Sequence, residues 1–99
     1  NPSPYIGIEI YTYSSEYLDK YDLPHGAAVK SVVQGGPAAS AGIKAGDIIT
    51  QFNSVDINEY TDFITALEKC TPGTKVTAKI YRNGRNYTTT VTVGSNNSR

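Results

Sequence analysis

The sequence has few of the residues that form covalent cross-links and metal sites. Cys70 is its single cysteine and His25 its single histidine among 99 residues, and methionine and tryptophan are absent. One cysteine excludes an internal disulfide and a metal site built from several cysteines. His25 follows Pro24 in a predicted loop without a carboxylate pair at ligand spacing, so we assign it no role. The sequence therefore predicts neither a metal site nor a cofactor.

The chain also lacks an excess of charge of either sign. Nine Lys and Arg residues balance nine Asp and Glu residues, for a formal net charge of zero. A neutral domain has no overall electrostatic attraction to nucleic acid or to anionic lipid. No apolar run approaches the roughly 20 residues that cross a bilayer. We therefore expect no nucleic-acid partner and no membrane insertion by this segment.

No motif of a catalytic nucleophile is present either. The sequence contains neither a Gly-x-Ser-x-Gly turn nor a cysteine paired with an activating base. Asp47 follows Gly46, and we predict that its carboxylate binds backbone amides in that turn. The basic residues are scattered, so they are predicted to be solvated: Lys30, Lys44, Arg82 and Arg85. We predict no catalytic residue and no enzyme activity for this chain by itself.

What is present is the pattern of one small domain. Its length leaves no room for a second core. The Asn-Pro-Ser-Pro start predicts a linker remnant over 1–4, a domain over 5–94 and a polar tail over 95–99.

Alternating apolar residues predict several short strands. Ile6, Ile8 and Ile10 alternate with other residue types and predict a first strand from about 6 to 12. Asn83-Gly84 favours a type I′ turn between two strands of a terminal hairpin. The remaining predicted strands cover 27–33, 47–53, 75–81 and 87–93.

Three helical segments interrupt these strands. Ser14 is a candidate cap for a short helix that ends before Pro24, and Pro37 begins a single turn that ends before Gly42. A longer helix is predicted over 58–69, with Asn58 as its cap. Pro72-Gly73 then forms a type II turn. This order predicts an α+β fold, an antiparallel sandwich or partial barrel closed by helices.

Three short motifs carry a resemblance to a known family. Residues 36–49 read GPAASAGIKAGDII, 5–8 read YIGI, and the hairpin contains PGTKV at 72–76 and YRNG at 81–84. The first motif resembles the central signature of PDZ domains, and the others are similar to PDZ domains of HtrA (DegP-like) serine proteases. The resemblance implies a PDZ fold with two capping helices and the circularly permuted topology of bacterial HtrA-type domains.

In that family a loop presents backbone N–H groups to the C-terminal carboxylate of a bound peptide, which then adds as a strand to the sheet. The resemblance implies that 5–8 form this loop, that 9–12 form the pairing strand, and that the long helix forms the opposite wall. Phe63 and Leu67 are then core residues. The implied peptide-binding residues are Tyr5, Ile6, Gly7, Ile8, Glu9, Ile10, Tyr11, Tyr60 and Ile64.

From the residues alone, a second interpretation stays open. Gly7 could relieve a bend in a strand, and the isoleucines of the loop could be core residues. Apolar side chains such as Tyr60 and Ile64 on a helix are more often buried in a core than exposed to a ligand. The resemblance, and not the spacing, favours the binding interpretation.

The resemblance also implies a larger setting. The parent would be a trypsin-type serine endopeptidase that acts outside the cytoplasm in protein quality control, anchored in a bacterial membrane and assembled as a homo-oligomer. Its partners would be the C-terminal peptides of unfolded or misplaced proteins, with an apolar last residue. Two alternatives stay open: a PDZ domain of another membrane-associated peptidase or secretion component, and a structural docking module.

Overall fold

Short antiparallel strands separated by helical segments make up this domain. The computed structural model describes residues 4–11 and 13–95, except the side chains of Tyr11 and Tyr60. Thr12, the predicted end of the first strand, lies outside the described residues. The elements are β1 (Pro4–Tyr5), β2 (Ile8–Tyr11), α1 (Ser15–Lys20), β3 (Ala27–Val32), α2 (Pro37–Ser40), β4 (Ile48–Phe52), β5 (Val55–Asp56), α3 (Tyr60–Glu68), β6 (Lys75–Arg82), β7 (Arg85–Thr92) and β8 (Gly94–Ser95).

The main sheet has the strand order β2-β3-β4-β6-β7, with β5 paired to β4. All of its recorded pairings are antiparallel. A separate two-stranded sheet joins β1 to β8, and β2 lies at one end of the main sheet. The predicted α+β architecture is therefore confirmed.

The predicted first strand is interrupted at its second residue. Gly7 has a φ of +78°, a left-handed conformation that an extended strand cannot contain. Pro4–Tyr5 therefore pairs with Gly94–Ser95, whereas β2 begins only at Ile8 and pairs with β3. The single strand predicted from about 6 to 12 is wrong at its start. Nothing in the alternation of apolar residues distinguishes Gly7 from a strand glycine.

The helix caps agree with the sequence in one case and differ in another. The Ser14 Oγ accepts a hydrogen bond from the N–H of Tyr17 at 3.1 Å, as predicted for the cap of α1. The predicted cap Asn58 of the long helix is wrong. The Asp62 carboxylate accepts from the N–H groups of Asn58 and Glu59 at 2.9 and 3.1 Å, and α3 begins at Tyr60. An acid inside the first turn therefore satisfies these donors.

The two predicted turns have the expected backbone. Asn83 and Gly84 have φ values of +51° and +80°, as a type I′ turn requires, and Arg82 pairs directly with Arg85. In the turn after α3, Gly73 has a φ of +94°, and the N–H of Thr74 donates to the Thr71 carbonyl at 3.1 Å.

The core lies between the sheet and α3. Phe52 on β4 and Phe63 on α3 meet edge to face, with ring centroids 5.0 Å apart, a favourable geometry for aromatic pairs. Ala38 brings the small face of α2 into the same core. No helix among the described residues has the length and apolar character needed to span a bilayer. The packing of α3 over the sheet leaves a cleft between this helix and β2.

A buried carboxylate joins the loop before β4 to the hairpin. Asp47 is 1% exposed, and it accepts hydrogen bonds from the Lys44 N–H at 2.8 Å and from the Arg82 Nε and Nη2 at 2.7 and 2.6 Å. The predicted structural role of Asp47 is confirmed, but the prediction that Arg82 is only solvated is wrong. The hydrogen bonds to Asp47 raise the pKa of Arg82 above its ordinary value.

Candidate functional site

The loop between β1 and β2 is held by two hydrogen bonds to its carbonyl groups. The Ile6 carbonyl accepts from the N–H of Ala38 in the first turn of α2 at 2.9 Å. The Gly7 carbonyl accepts from the N–H of Val33 at 2.8 Å. The loop therefore satisfies one of the N–H groups that the start of α2 leaves without a helical partner.

These two bonds determine where the next N–H groups point. None of the described peptide bonds is cis. In a planar trans peptide, the C=O of one residue and the N–H of the next point in opposite directions. The N–H of Gly7 therefore points away from α2, and the N–H of Ile8 points away from β3. Two successive donors that face outward form a concavity suited to an anion such as a carboxylate.

An apolar cleft of about 100 Å³ opens beside these donors. Ile6 is 1% exposed at its base, whereas Ile64 on α3 is 39% exposed at its rim. Within the described part of the chain, no charged side chain lines this cleft. Its lining residues are Pro4, Tyr5, Ile6, Gly7, Ile8, Ile10, Phe63, Ile64 and Leu67.

Most of the predicted site residues meet at this cleft. Tyr5, Ile6, Gly7, Ile8, Ile10 and Ile64 all line it. Glu9 does not, because its side chain is exposed and its carboxylate accepts a hydrogen bond from the Ser31 Oγ at 2.8 Å. For Tyr11 and Tyr60 the structure describes the backbone, in β2 and α3 respectively.

The sequence prediction missed three lining residues. Phe63 and Leu67 were assigned to the core; they do pack there, but each also lines the cleft. Pro4 was assigned to a linker, and it forms β1 and lines the cleft as well. Helical spacing could have indicated Phe63 and Leu67, because residues three and four apart share one helix face.

The strand beside the cleft has a free edge. Among the described residues β2 pairs only with β3, so its other side has no strand neighbour. An edge of this kind presents backbone donors and acceptors to which an added strand can pair. The outward N–H of Ile8 lies at the beginning of this edge.

The other reactive side chains in the described residues do not form a site. Cys70 is buried, and burial raises the pKa of its thiol, which keeps it protonated and unreactive. Residues 4–11 and 13–95 contain no cluster of three His, Cys, Asp or Glu side chains that could hold a metal ion.

Comparison with known proteins agrees with this geometry. Residues 4–93 match the PDZ domain family. The chain is 33% identical over 92 residues to a protein of Halomonas elongata named as a probable periplasmic serine endoprotease, DegP-like. This match covers 91% of the chain but only 19% of that relative.

Solved structures show the same fold. The HtrA-type protease AlgW, solved with a decapeptide, superposes with a TM-score of 0.85 at 24% identity, over 99% of this chain and 31% of that one. The HtrA3 PDZ domain, bound to a phage-derived ligand, superposes with a TM-score of 0.81 at 20% identity, over 96% and 88% of the two chains.

The topology agrees with these matches, because β2, the strand beside the cleft, precedes the rest of the main sheet in the chain, and the β6–β7 hairpin is its last part. This is the permuted order that the resemblance to bacterial domains implied. The chain therefore belongs to the PDZ domain family, and it is a PDZ domain of the HtrA (DegP-like) type.

Proposed function

We propose that this domain captures the C-terminal end of another polypeptide by strand addition to β2. The observation that carries the proposal is the pair of outward N–H groups, from Gly7 and Ile8, at the mouth of an apolar cleft. These two donors bind the terminal carboxylate. The last side chain of the ligand enters the cleft, and the preceding residues pair with β2.

The direction of the added strand follows from the position of the loop. A peptide that runs antiparallel to β2 has its C-terminus beside the start of that strand. Gly7 and Ile8 lie at that start, so the carboxylate reaches the two donors when the peptide is in register. Two proteins of similar fold were solved with peptides, which supports the proposal.

The lining of the cleft favours an apolar last residue. A buried charged side chain would need a partner of opposite charge, and the described walls offer apolar groups, backbone and the Tyr5 hydroxyl but no charged side chain. We expect Val, Leu, Ile, Phe and Ala to be accepted. Affinity on the order of micromolar is expected, because a short flexible peptide loses conformational freedom on binding.

The wider protein is part of the same proposal. The chain spans about a fifth of the length of the DegP-like relative, which is named as a periplasmic serine endoprotease. We infer that this domain recognises substrates or signals for a serine endopeptidase outside the cytoplasm. Its ligands would be C-termini of unfolded or misplaced proteins, and the parent would be membrane-anchored and homo-oligomeric.

The decisive experiment compares a peptide acid with its amide. Peptides with free C-termini are screened against the domain, and each hit is then resynthesised with a C-terminal amide. Because the amide carries no negative charge and replaces one acceptor oxygen by a donor, we expect its affinity to fall about 100-fold. Equal affinity for acid and amide, measured by calorimetry or NMR titration, would place recognition elsewhere.

Two glycine variants distinguish the effect of the loop on peptide binding from the general effect of backbone strain on stability. Gly7 and Gly84 have φ values of +78° and +80°, so valine is strained at both positions. A Cβ at Gly7 would lie 3.3 Å from Tyr5 Oη and 3.3 Å from Val33 Cβ, whereas a Cβ at Gly84 meets no atom within 4 Å.

Gly84→Val should lose about 1 to 2 kcal/mol of stability because of its left-handed backbone, and Gly7→Val should lose at least as much, because its Cβ also meets Tyr5 and Val33. Only Gly7→Val should also lose peptide binding, by more than about tenfold, because its loop donors move. Thermal unfolding confirms that each variant is folded, and titration measures binding. Similar affinities for the two variants would contradict the assignment of the loop.

A further inference from the structure

The side chain of Tyr5 lies beside the glycine of the loop. A Cβ built on Gly7 would lie 3.3 Å from the Tyr5 Oη and 3.5 Å from its Cζ, so the phenol end of the side chain approaches the loop backbone. Tyr5 also lines the cleft together with Gly7 and Ile8. The hydroxyl is therefore close to the loop that carries the two outward N–H groups.

The tyrosine ring is held in place by the small sheet at the ends of the domain. Tyr5 pairs with Gly94 in the β1–β8 sheet. A Cβ at Gly94 would lie 3.3 Å from the Tyr5 carbonyl oxygen and 3.9 Å from its Cδ2, so the ring packs beside this glycine. The backbone pairing thus fixes the position from which the side chain reaches Gly7.

Within residues 4–11 and 13–95, the Tyr5 hydroxyl has no hydrogen-bond partner. No buried side-chain nitrogen or oxygen among the described residues lacks a partner, so this unpaired hydroxyl of a half-buried residue is accessible to water or to a ligand. A phenol O–H is a donor that can rotate toward an acceptor, and a carboxylate has about four acceptor sites. Two N–H donors leave some of these sites unused.

We propose that the Tyr5 hydroxyl donates a further hydrogen bond to the terminal carboxylate of the ligand, beside the N–H groups of Gly7 and Ile8. This inference rests on the proposed function. Hydrogen bonds to a charged acceptor are stronger than those between neutral groups. Tyr5 is then a specificity-determining residue, because its side chain recognises the carboxylate and not the last side chain.

The test uses Tyr5→Phe, which removes the hydroxyl and keeps the ring. The probes are a fluorescein-labelled Gly-Ala-Ala-Ala-Val peptide as acid and as amide, and the same acid ending in alanine. Tyr87→Phe is the matched control, because Tyr87 lies on β7, at the opposite end of the sheet from β2. Anisotropy titrations measure the affinities for the acids, and NMR titration at millimolar concentration measures the affinity for the amide. Thermal unfolding shows whether each variant is folded.

We expect Tyr5→Phe to lower the affinity for both acids about tenfold and the affinity for the amide by less than about threefold. The ratio of affinities for the valine and alanine acids should stay constant, because the apolar cleft is unchanged. Tyr87→Phe should behave like the wild type.

Three results would overturn this inference. The first is that Tyr5→Phe binds the acids with wild-type affinity. The second is an equal loss of affinity for the acid and the amide, and the third is a changed ratio of affinities for the valine and alanine acids. The last two would show that the side chain acts through packing. If the wild type itself does not distinguish acid from amide, the proposed function fails first, and the two failures are thereby separated.

Discussion

Two residues in this domain have roles that depend on one backbone or side-chain property. Gly7 contributes a left-handed φ that turns the loop between β1 and β2, and its carbonyl is bound by Val33. Asp47 contributes a carboxylate that is almost fully buried and accepts hydrogen bonds from Lys44 and Arg82. Gly7 thus orients the candidate site, and Asp47 stabilises the loop before β4.

Removal of Arg82, the partner of Asp47, should destabilise the domain. In Arg82→Met the carboxylate stays buried without its ion pair, so we expect the free energy of unfolding to fall by about 3 kcal/mol. Removal of one partner of a buried ion pair costs about 3 to 5 kcal/mol. We take the lower value because a quarter of the Arg82 side-chain surface is exposed. Urea unfolding measures the change.

Arg85→Met is the control for this substitution, because Arg85 is exposed at the start of β7. Its effect should stay within about 0.5 kcal/mol. If the two variants lost the same stability, the ion pair between Arg82 and Asp47 would have no special contribution.

At the scale of elements, β2 combines two properties. It is an edge strand among the described residues, and it begins where the loop turns its N–H groups outward. α3 packs opposite and closes the cleft with Phe63, Ile64 and Leu67. The candidate site therefore lies between β2, which offers backbone pairing, and α3, which contributes an apolar wall.

Hydrogen exchange should detect the free donors at the start of β2 directly. In the free domain the amides of Gly7 and Ile8 should exchange rapidly, because neither faces an acceptor of the domain. With peptide at about 100 times its Kd, their exchange should slow by about 100-fold. The amides of β4, which lies between β3 and β6, serve as the internal reference. Slow exchange of Gly7 and Ile8 before peptide is added would refute the outward orientation.

At the scale of the whole molecule, the absence of net charge matters for binding. The formal net charge is zero, and the described lining of the cleft contains no charged side chain. Neutral N–H and O–H donors, rather than a lysine or arginine, therefore hold the carboxylate in our proposals. Long-range attraction should contribute little to the rate or the strength of capture.

Peptide affinity should consequently depend weakly on salt. Between 50 and 500 mM sodium chloride we expect Kd to change by less than about twofold, since salt screens mainly interactions between charges. Calorimetric titration of one N-acetylated, apolar-ended peptide acid without charged side chains measures this dependence. A steep loss of affinity with salt would indicate that a cationic side chain binds the carboxylate.

The sequence predicted a large part of the fold because local signals were strong. Alternating apolar residues located the strands of the hairpin, and Asn83-Gly84 identified its turn. Ser14 marked the start of α1. The division into linker, domain and tail stays a prediction, as does the binding role of the individual site residues.

By itself, the sequence determined the helical segments and the longer strands, because periodicity and turn chemistry act between near neighbours in the chain. Its motifs indicated the family, and through that resemblance most of the residues that line the cleft. Only the tertiary structure decided which way the N–H groups of Gly7 and Ile8 point. Their direction depends on hydrogen bonds that the Ile6 and Gly7 carbonyls accept from Ala38 and Val33, which are distant in sequence. The pairing of Arg82 with Asp47 was hidden for the same reason. Contacts between residues that are distant in sequence produce no periodic pattern in that sequence.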